Sequence, residues 1–208
     1  MPADTTVTGF VALVVQPDAA TIRQSYELAS AVMAKDAEQV LAPGSLPHVT
    51  LTQCALRGAP RERIASYVAR LETNLRGRSI PLRTVMAFPG GFVFWCVDES
   101  SPERVRLQEA HEAAIGVADG FLDPVANTRV VDGTAAATNN DPVLVGNART
   151  YGYAFVRDRY LPHITLGFDA RVTPESFEGH DHPHAMTVDR VVLARLGSRG
   201  RVEAVLSL

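Results

Sequence analysis

Cysteine is scarce in this chain. Two residues in 208, Cys54 and Cys96, cannot build a disulfide framework, so a hydrophobic core must hold the fold. Both lie in apolar, strand-like runs and read as small buried hydrophobes. A bridge between neighbouring strands is the other reading, and spacing alone does not decide it. A basic excess is also missing. Twenty Lys and Arg against 23 Asp and Glu give a net charge of -3. That removes any blanket attraction to nucleic acid or anionic membrane and leaves room only for a local basic groove. No apolar run approaches the roughly 20 residues that span a bilayer. The start, "MPADTTVTGF", has neither the basic nor the apolar region of a signal peptide. A soluble, cytoplasmic, monomeric protein is expected. Glycine-rich phosphate loops of the Walker or dinucleotide type are absent too.

What is present is an ordinary globular balance, 46% hydrophobic and 21% charged, enough for a sizeable core. "TGFVALVVQ" reads as a strand. Asp18 caps a helix carrying Ile22, Tyr26, Leu28, Ala29 and Val32 at helical spacing. "APGS" turns the chain into "HVTLTQCAL", whose alternation predicts a strand with His48, Thr50, Thr52 and Cys54 on one face. A second helix begins near Pro60 or Arg61, with Ile64, Val68 and Leu71 as its apolar stripe. "SIPLRTVMAF" and "FVFWCVD" are strands joined by Pro89-Gly90-Gly91. Ser101 and Pro102 open a third helix, and Gly116 follows its end. Residues 117–157 read as a long loop, a candidate cover for a groove. "YLPHITLGF" is a strand, "HDHPHA" a loop, and the chain ends in a hairpin across "GSRG". The order β-α-β-α-β-β-α-loop-β-β-β predicts an α+β fold with mainly antiparallel sheet and helices outside.

One phrase is written twice. "LPHVTL" at 46–51 returns as "LPHITL" at 161–166. From ordinary residue usage, a chance match of this kind is on the order of one in a thousand. In each copy the His and the Thr two residues later share a side of the strand. Brought to one cleft, they offer two imidazoles and two hydroxyls. That set can break a phosphodiester: one His takes a proton, the other gives one to the leaving oxygen, and the hydroxyls bind the non-bridging oxygens. Histidine suits both tasks because its ordinary pKa, about 6.5, lies near neutrality.

Two H-x-T motifs in apolar strands, half a chain apart, resemble the signature of the 2H phosphoesterases. That superfamily includes the 2′-5′ RNA ligase-like proteins and the cyclic nucleotide phosphodiesterases. The resemblance covers about residues 9–196. It implies two pseudo-symmetric lobes around a central groove, in a single domain spanning 1–208. It also implies cleavage of 2′,3′-cyclic or 2′-5′-linked nucleotides or RNA ends, with no cofactor and no metal. His48 and His163 would be the general acid and base, and Thr50 and Thr165 would hold the phosphate. Many relatives carry Arg or Tyr five residues after the second His. Here that position is Phe168, and its counterpart in the first copy is Gln53. Arg157, Arg159 and Tyr160, just before the second copy, are candidate replacements beside Gln53 and Phe168 for substrate binding.

Other features read more plainly. His180, His182 and His184 with Asp181 sit in a Pro-containing polar stretch expected to be solvated rather than metal-binding. His111, among charged residues, is expected at the surface. Trp95, Phe92 and Phe94 are expected in the core, with base stacking as the alternative. Arg61, Arg63, Arg70, Arg76 and Arg78 are expected to face solvent, with guidance of an RNA end as the alternative. Two rival functions stand beside the phosphodiesterase. One is a nucleotide-binding module with little turnover; the other is a metal-dependent hydrolase built on the six histidines.

Overall fold

The computed structural model describes residues 5–35, 37, 41 and 44–208. The "APGS" turn falls partly outside them. The elements run β1 (Thr6–Pro17), α1 (Ala19–Val32), β2 (Val49–Pro60), α2 (Arg61–Leu75), β3 (Ser79–Phe88), β4 (Phe92–Val97), α3 (Pro102–Ile115), α4 (Pro124–Ala137), α5 (Pro142–Tyr151), β5 (His163–Phe168), β6 (His180–Leu196) and β7 (Val202–Leu206). The fold is α+β, and every strand pairing is antiparallel.

Local chemistry explains most of these boundaries. The Asp18 carboxylate accepts from the N–H groups of Ala20 and Thr21 and starts α1. The Ser101 hydroxyl accepts from the Glu103 N–H and starts α3, with Pro102 at the first helical position. The stretch expected as a long loop instead holds α4 and α5. Each is opened by an Asp-Pro pair: Asp123-Pro124 and Asp141-Pro142, the Asp capping two N–H groups and the Pro needing none. The two helices pack on each other through Leu144, Ala148, Val130 and Val131.

The strands lie in the order β1-β2-β5-β4-β3-β6-β7, and β1 also pairs with β6. The long β6 makes this closure. Its first half, from His180, lies along β3, and its second half lies along β1. The polar run His180–His184 is therefore strand rather than loop. It alternates, with His182 and His184 turned toward Trp95 and the intervening residues exposed. The indole Nε1 donates to the His182 carbonyl at 2.9 Å.

Helices α1, α2 and α3 cover one face of the sheet. Their apolar residues Leu28, Ile64, Leu71 and Leu107 join Leu13, Val49, Trp95, Ile164 and Leu193 in one core. The arginines of the α2 region belong to this helical side and meet the protein's own groups. Arg63 donates to the Gly116 carbonyl, Arg76 pairs with Glu72, and Arg78 pairs with Glu103. Among the described residues, the opposite sheet face carries a smaller cluster in which Ala12, Val14, Val192 and Ala194 pack with Phe10 and Leu46.

Candidate active site

The two hexamers meet. β2 and β5 share one paired position, and it is Val49 with Ile164, the middle residue of each H-x-T. Both side chains are buried in the helical core. Their neighbours must then point to the other face. Continuing the register one residue each way sets His48 opposite Thr165 and Thr50 opposite His163. Facing residues in such a pair stand about 4.5–5.5 Å apart at Cβ, and the diagonal between the two histidines is roughly 7–8 Å. All four side chains are half-buried.

The first letters of the hexamer also have work. His48 Nδ1–H donates to the Leu46 carbonyl at 2.8 Å, and His163 Nδ1–H donates to the Leu161 carbonyl at 2.6 Å. A carbonyl can only accept, so each ring is fixed with its proton on Nδ1 and its lone pair on Nε2. The intervening Pro47 and Pro162 have no N–H to compete and hold the preceding Leu extended. Burial pushes the His48 imidazole down, opposed by its bond to Leu46. Burial takes His163 to about 4; the Leu161 carbonyl opposes this and the nearby His48 charge adds to it.

Each copy then breaks its alternation at the same letter. Along β1, Leu13 faces Thr52 but Val14 faces Thr50; along β4, Val93 faces Gly167 but Phe94 faces Thr165. One extra residue is accommodated beside Leu51 and beside Leu166, a bulge in each strand. Strict alternation from Thr50 would keep Thr52 and Cys54 on its face. The bulge instead sends Cys54 to the helical core and returns Gln53, opposite Ala12, to the face of Thr50. In the second copy it brings Phe168, opposite Phe92, to the face of His163 and Thr165. Cys54 and Cys96 are both free and buried.

That face is aromatic around β5. Phe94 stacks on the His163 ring with centroids 3.6 Å apart. Phe92 stacks on Phe94 and meets Phe168 edge-on at 5.1 Å. Phe88 touches Phe94 and also Phe155, just beyond α5. Trp95 points the other way and is fully buried, as expected of a core residue. The Arg199 guanidinium, from the turn between β6 and β7, lies 3.7 Å over the Phe168 ring. Arg199 has a left-handed backbone, φ 56°, unusual for a residue other than glycine. Only its basic character inside "GSRG" could have drawn attention to it.

The other expected substrate-binding residues lie elsewhere. The Tyr160 hydroxyl is buried and donates to the Thr50 carbonyl at 3.0 Å. Arg157 directs its guanidinium at the Tyr151 hydroxyl and Glu112. Arg159 is exposed. His111 is not at the surface. It is fully buried, its Nδ1–H donating to the Leu51 carbonyl at 2.6 Å and its Nε2 accepting from the Arg157 N–H at 2.8 Å. Burial pushes its imidazole down as well. Among the described residues no group of three or more His, Cys, Asp or Glu is placed to hold a metal ion, the 180–184 stretch included. Likewise none of their helices is long and apolar enough to cross a membrane.

The fold can be matched to known structures. TT0787 of Thermus thermophilus superposes with a TM-score of 0.59 at 18% identity, over 95% of each chain. E. coli LigT complexed with NADP+ gives 0.57 at 16% identity, over 97% of this chain and 96% of that one. The chain has the LigT fold. A phosphoesterase gives 0.52 at 17% identity over 97% of both chains. No protein-family model matches the sequence, and no curated protein does.

Proposed function

We propose that the chain is a 2H-type phosphodiesterase that cleaves 2′,3′-cyclic or 2′-5′-linked nucleotides or RNA ends without a metal. One observation carries this reading: the Val49–Ile164 pair, which sets both H-x-T motifs side by side on one face of the sheet. One imidazole, neutral at Nε2, takes a proton from water as the water oxygen attacks phosphorus. The other, as imidazolium, gives its Nε2 proton to the leaving ribose oxygen as that P–O bond breaks. The bound phosphate anion favours the charged form of a nearby imidazole. This opposes the burial that pushes both imidazoles down in the free protein. Thr50 and Thr165 hydroxyls donate to the non-bridging oxygens.

We read Gln53, Phe168 and Arg199 as the surrounding substrate surface. Phe168 cannot hydrogen-bond, but it holds a guanidinium over its ring, so cationic charge reaches this end of the face from another strand. The E. coli LigT relative is described with NADP+, which agrees with a nucleotide here. Tyr160 and Arg157, by their contacts, serve the scaffold in this reading. The α4–α5 hairpin, whose exit carries Phe155 against Phe88, flanks the face and is read as its border. The two arms of the strand circuit, β2-β1-β6-β7 and β5-β4-β3, are read as the two lobes of one domain.

The test is turnover of a panel of 2′,3′-cyclic nucleotides, 2′-5′ oligoadenylate and short RNA ends in EDTA. Wild type is compared with His48→Ala and His163→Ala. Each single variant should lose about 10²- to 10⁴-fold in rate. Binding of nucleotide without product would favour the binding-module reading, and loss of wild-type activity in EDTA would favour a metal-dependent hydrolase.

A further inference from the structure

One edge of β2 is shared among partners that are not a strand. Past Val49, β5 cannot continue the ladder, because Pro162 has no N–H and its carbonyl is taken by Val97 N–H at 3.1 Å. Farther on, the Ala55 carbonyl and Arg57 N–H bond to Asp123 and Phe121. Between these lie the carbonyls of Thr50 and Leu51, at the bulge. Buried carbonyls need partners. Tyr160 O–H and His111 Nδ1–H supply them, and the two rings stack at 4.1 Å, nearly parallel.

The same groups hold the approach to the second hexamer. His111 Nε2 accepts from Arg157 N–H, Gln108 donates to the Arg157 carbonyl, and Arg104 donates to the Tyr160 carbonyl at 2.7 Å. Arg104, Gln108 and His111 are one stripe of α3, spaced four and three residues apart. Arg157 is itself in a left-handed conformation, φ 58°, so the chain is held there against its preference. Thus α3 grips the first hexamer at Leu51 and the lead-in to the second at Arg157 and Tyr160. His111 does both at once, donating on one nitrogen and accepting on the other.

We infer that His111 and Tyr160 are positioning residues that set the separation of the His48–Thr50 pair from the His163–Thr165 pair. They touch neither the substrate nor the reacting imidazoles, and they act through backbone carbonyls. This rests on the proposed phosphodiesterase reading only for its kinetic consequence. The direct β2–β5 ladder has one paired position, Val49–Ile164, so these bonds add to the shared core in fixing that spacing.

The test uses two mild variants of the full chain. Tyr160→Phe keeps the stack and removes the donor to Thr50. His111→Asn keeps a donor near the Nδ1 position and removes the acceptor for Arg157. Ile64→Val, in the helical core, is the control for general loosening. Imidazole ¹⁵N–¹H spectra of His48 and His163 are recorded across pH, with thermal melts alongside. Both variants should move the resonances and titrations of both active-site histidines, while Ile64→Val leaves them in place. On a cyclic nucleotide, kcat should fall about 10- to 100-fold with KM held within about threefold. Unmoved imidazoles in a folded Tyr160→Phe protein overturn the inference, as does an equal movement in Ile64→Val. Should His111→Asn fail to fold, Tyr160→Phe decides alone. A wild type inert on every substrate would sink the proposed function, yet the spectra would still decide the positioning role.

Discussion

Replacing His163 by Asn should flatten the acid side of the stability curve. The folded chain holds the His163 imidazole neutral, with its pKa moved from 6.5 to about 4. The unfolded chain binds that proton far more readily. Stability from this residue is therefore complete above the unfolded value of about 6.5 and is lost as pH falls toward 4. Each pH step of one within this window is worth about 1.4 kcal/mol. Between about pH 7 and pH 4.5 the loss approaches about 2.5 kcal/mol, and solvent screening of a half-buried ring reduces it to about 1–2.5 kcal/mol. The Asn side chain can still donate to the Leu161 carbonyl, and it does not titrate. Urea unfolding at pH 7.0, 6.0, 5.0 and 4.5 should show wild type losing about 1–2.5 kcal/mol more than His163→Asn. Asp169, whose carboxyl is held at about 2 by Arg171, titrates below this window and does not disturb it. Equal losses in the two proteins would refute the claim that the fold holds this ring neutral.

Trp95→Ala should cost about 3–5 kcal/mol in urea unfolding, since the indole is fully buried and its Nε1–H serves the His182 carbonyl. Gly91→Ala should lower stability by about 1–3 kcal/mol in the same assay. Gly91 has φ +90°, and an added Cβ would lie 2.6 Å from the Asp169 carbonyl oxygen. Arg199→Gln should raise KM for an anionic nucleotide about two- to fivefold and leave kcat near wild type, as expected for loss of a partly exposed cation held over an aromatic ring. Unchanged KM would remove Arg199 from the substrate surface.

Patterns that are both local and repeated are legible in the letters. The caps at Asp18 and Ser101-Pro102 mark their helices as expected, and the hexamer drew attention to four residues that the fold gathers. Helices α4 and α5 run against the expected loop, although Asp123-Pro124 and Asp141-Pro142 repeat the kind of helix-start signal seen at α3. The run "DGTAAATNNDP" suggested a loop by composition, yet its first half continues α4 to Ala137. His180–His184 read as loop because polar residues and a Pro dominate it. Its strand character comes from β3 alongside and Trp95 beneath, neither of which is local. His111 looked superficial because Glu109 and Glu112 flank it. The distant Leu51 carbonyl, the Arg157 N–H and the Tyr160 ring account for its burial. The bulges at Leu51 and Leu166 left no mark on the letters, so the expected face of β2 was correct at His48 and Thr50 and wrong from Thr52 onward.

The bond from each H-x-T imidazole to the carbonyl two residues behind it has a wider consequence. Many catalytic histidines are oriented by a carboxylate elsewhere in the chain, so two distant positions must be matched. Here the orienting acceptor travels with the ring, in a short and self-contained segment. A fold that uses such units has only to bring two of them face to face. Nothing else in the chain is then needed to orient either ring, and the fold has only to set the two strand positions Val49 and Ile164 against each other.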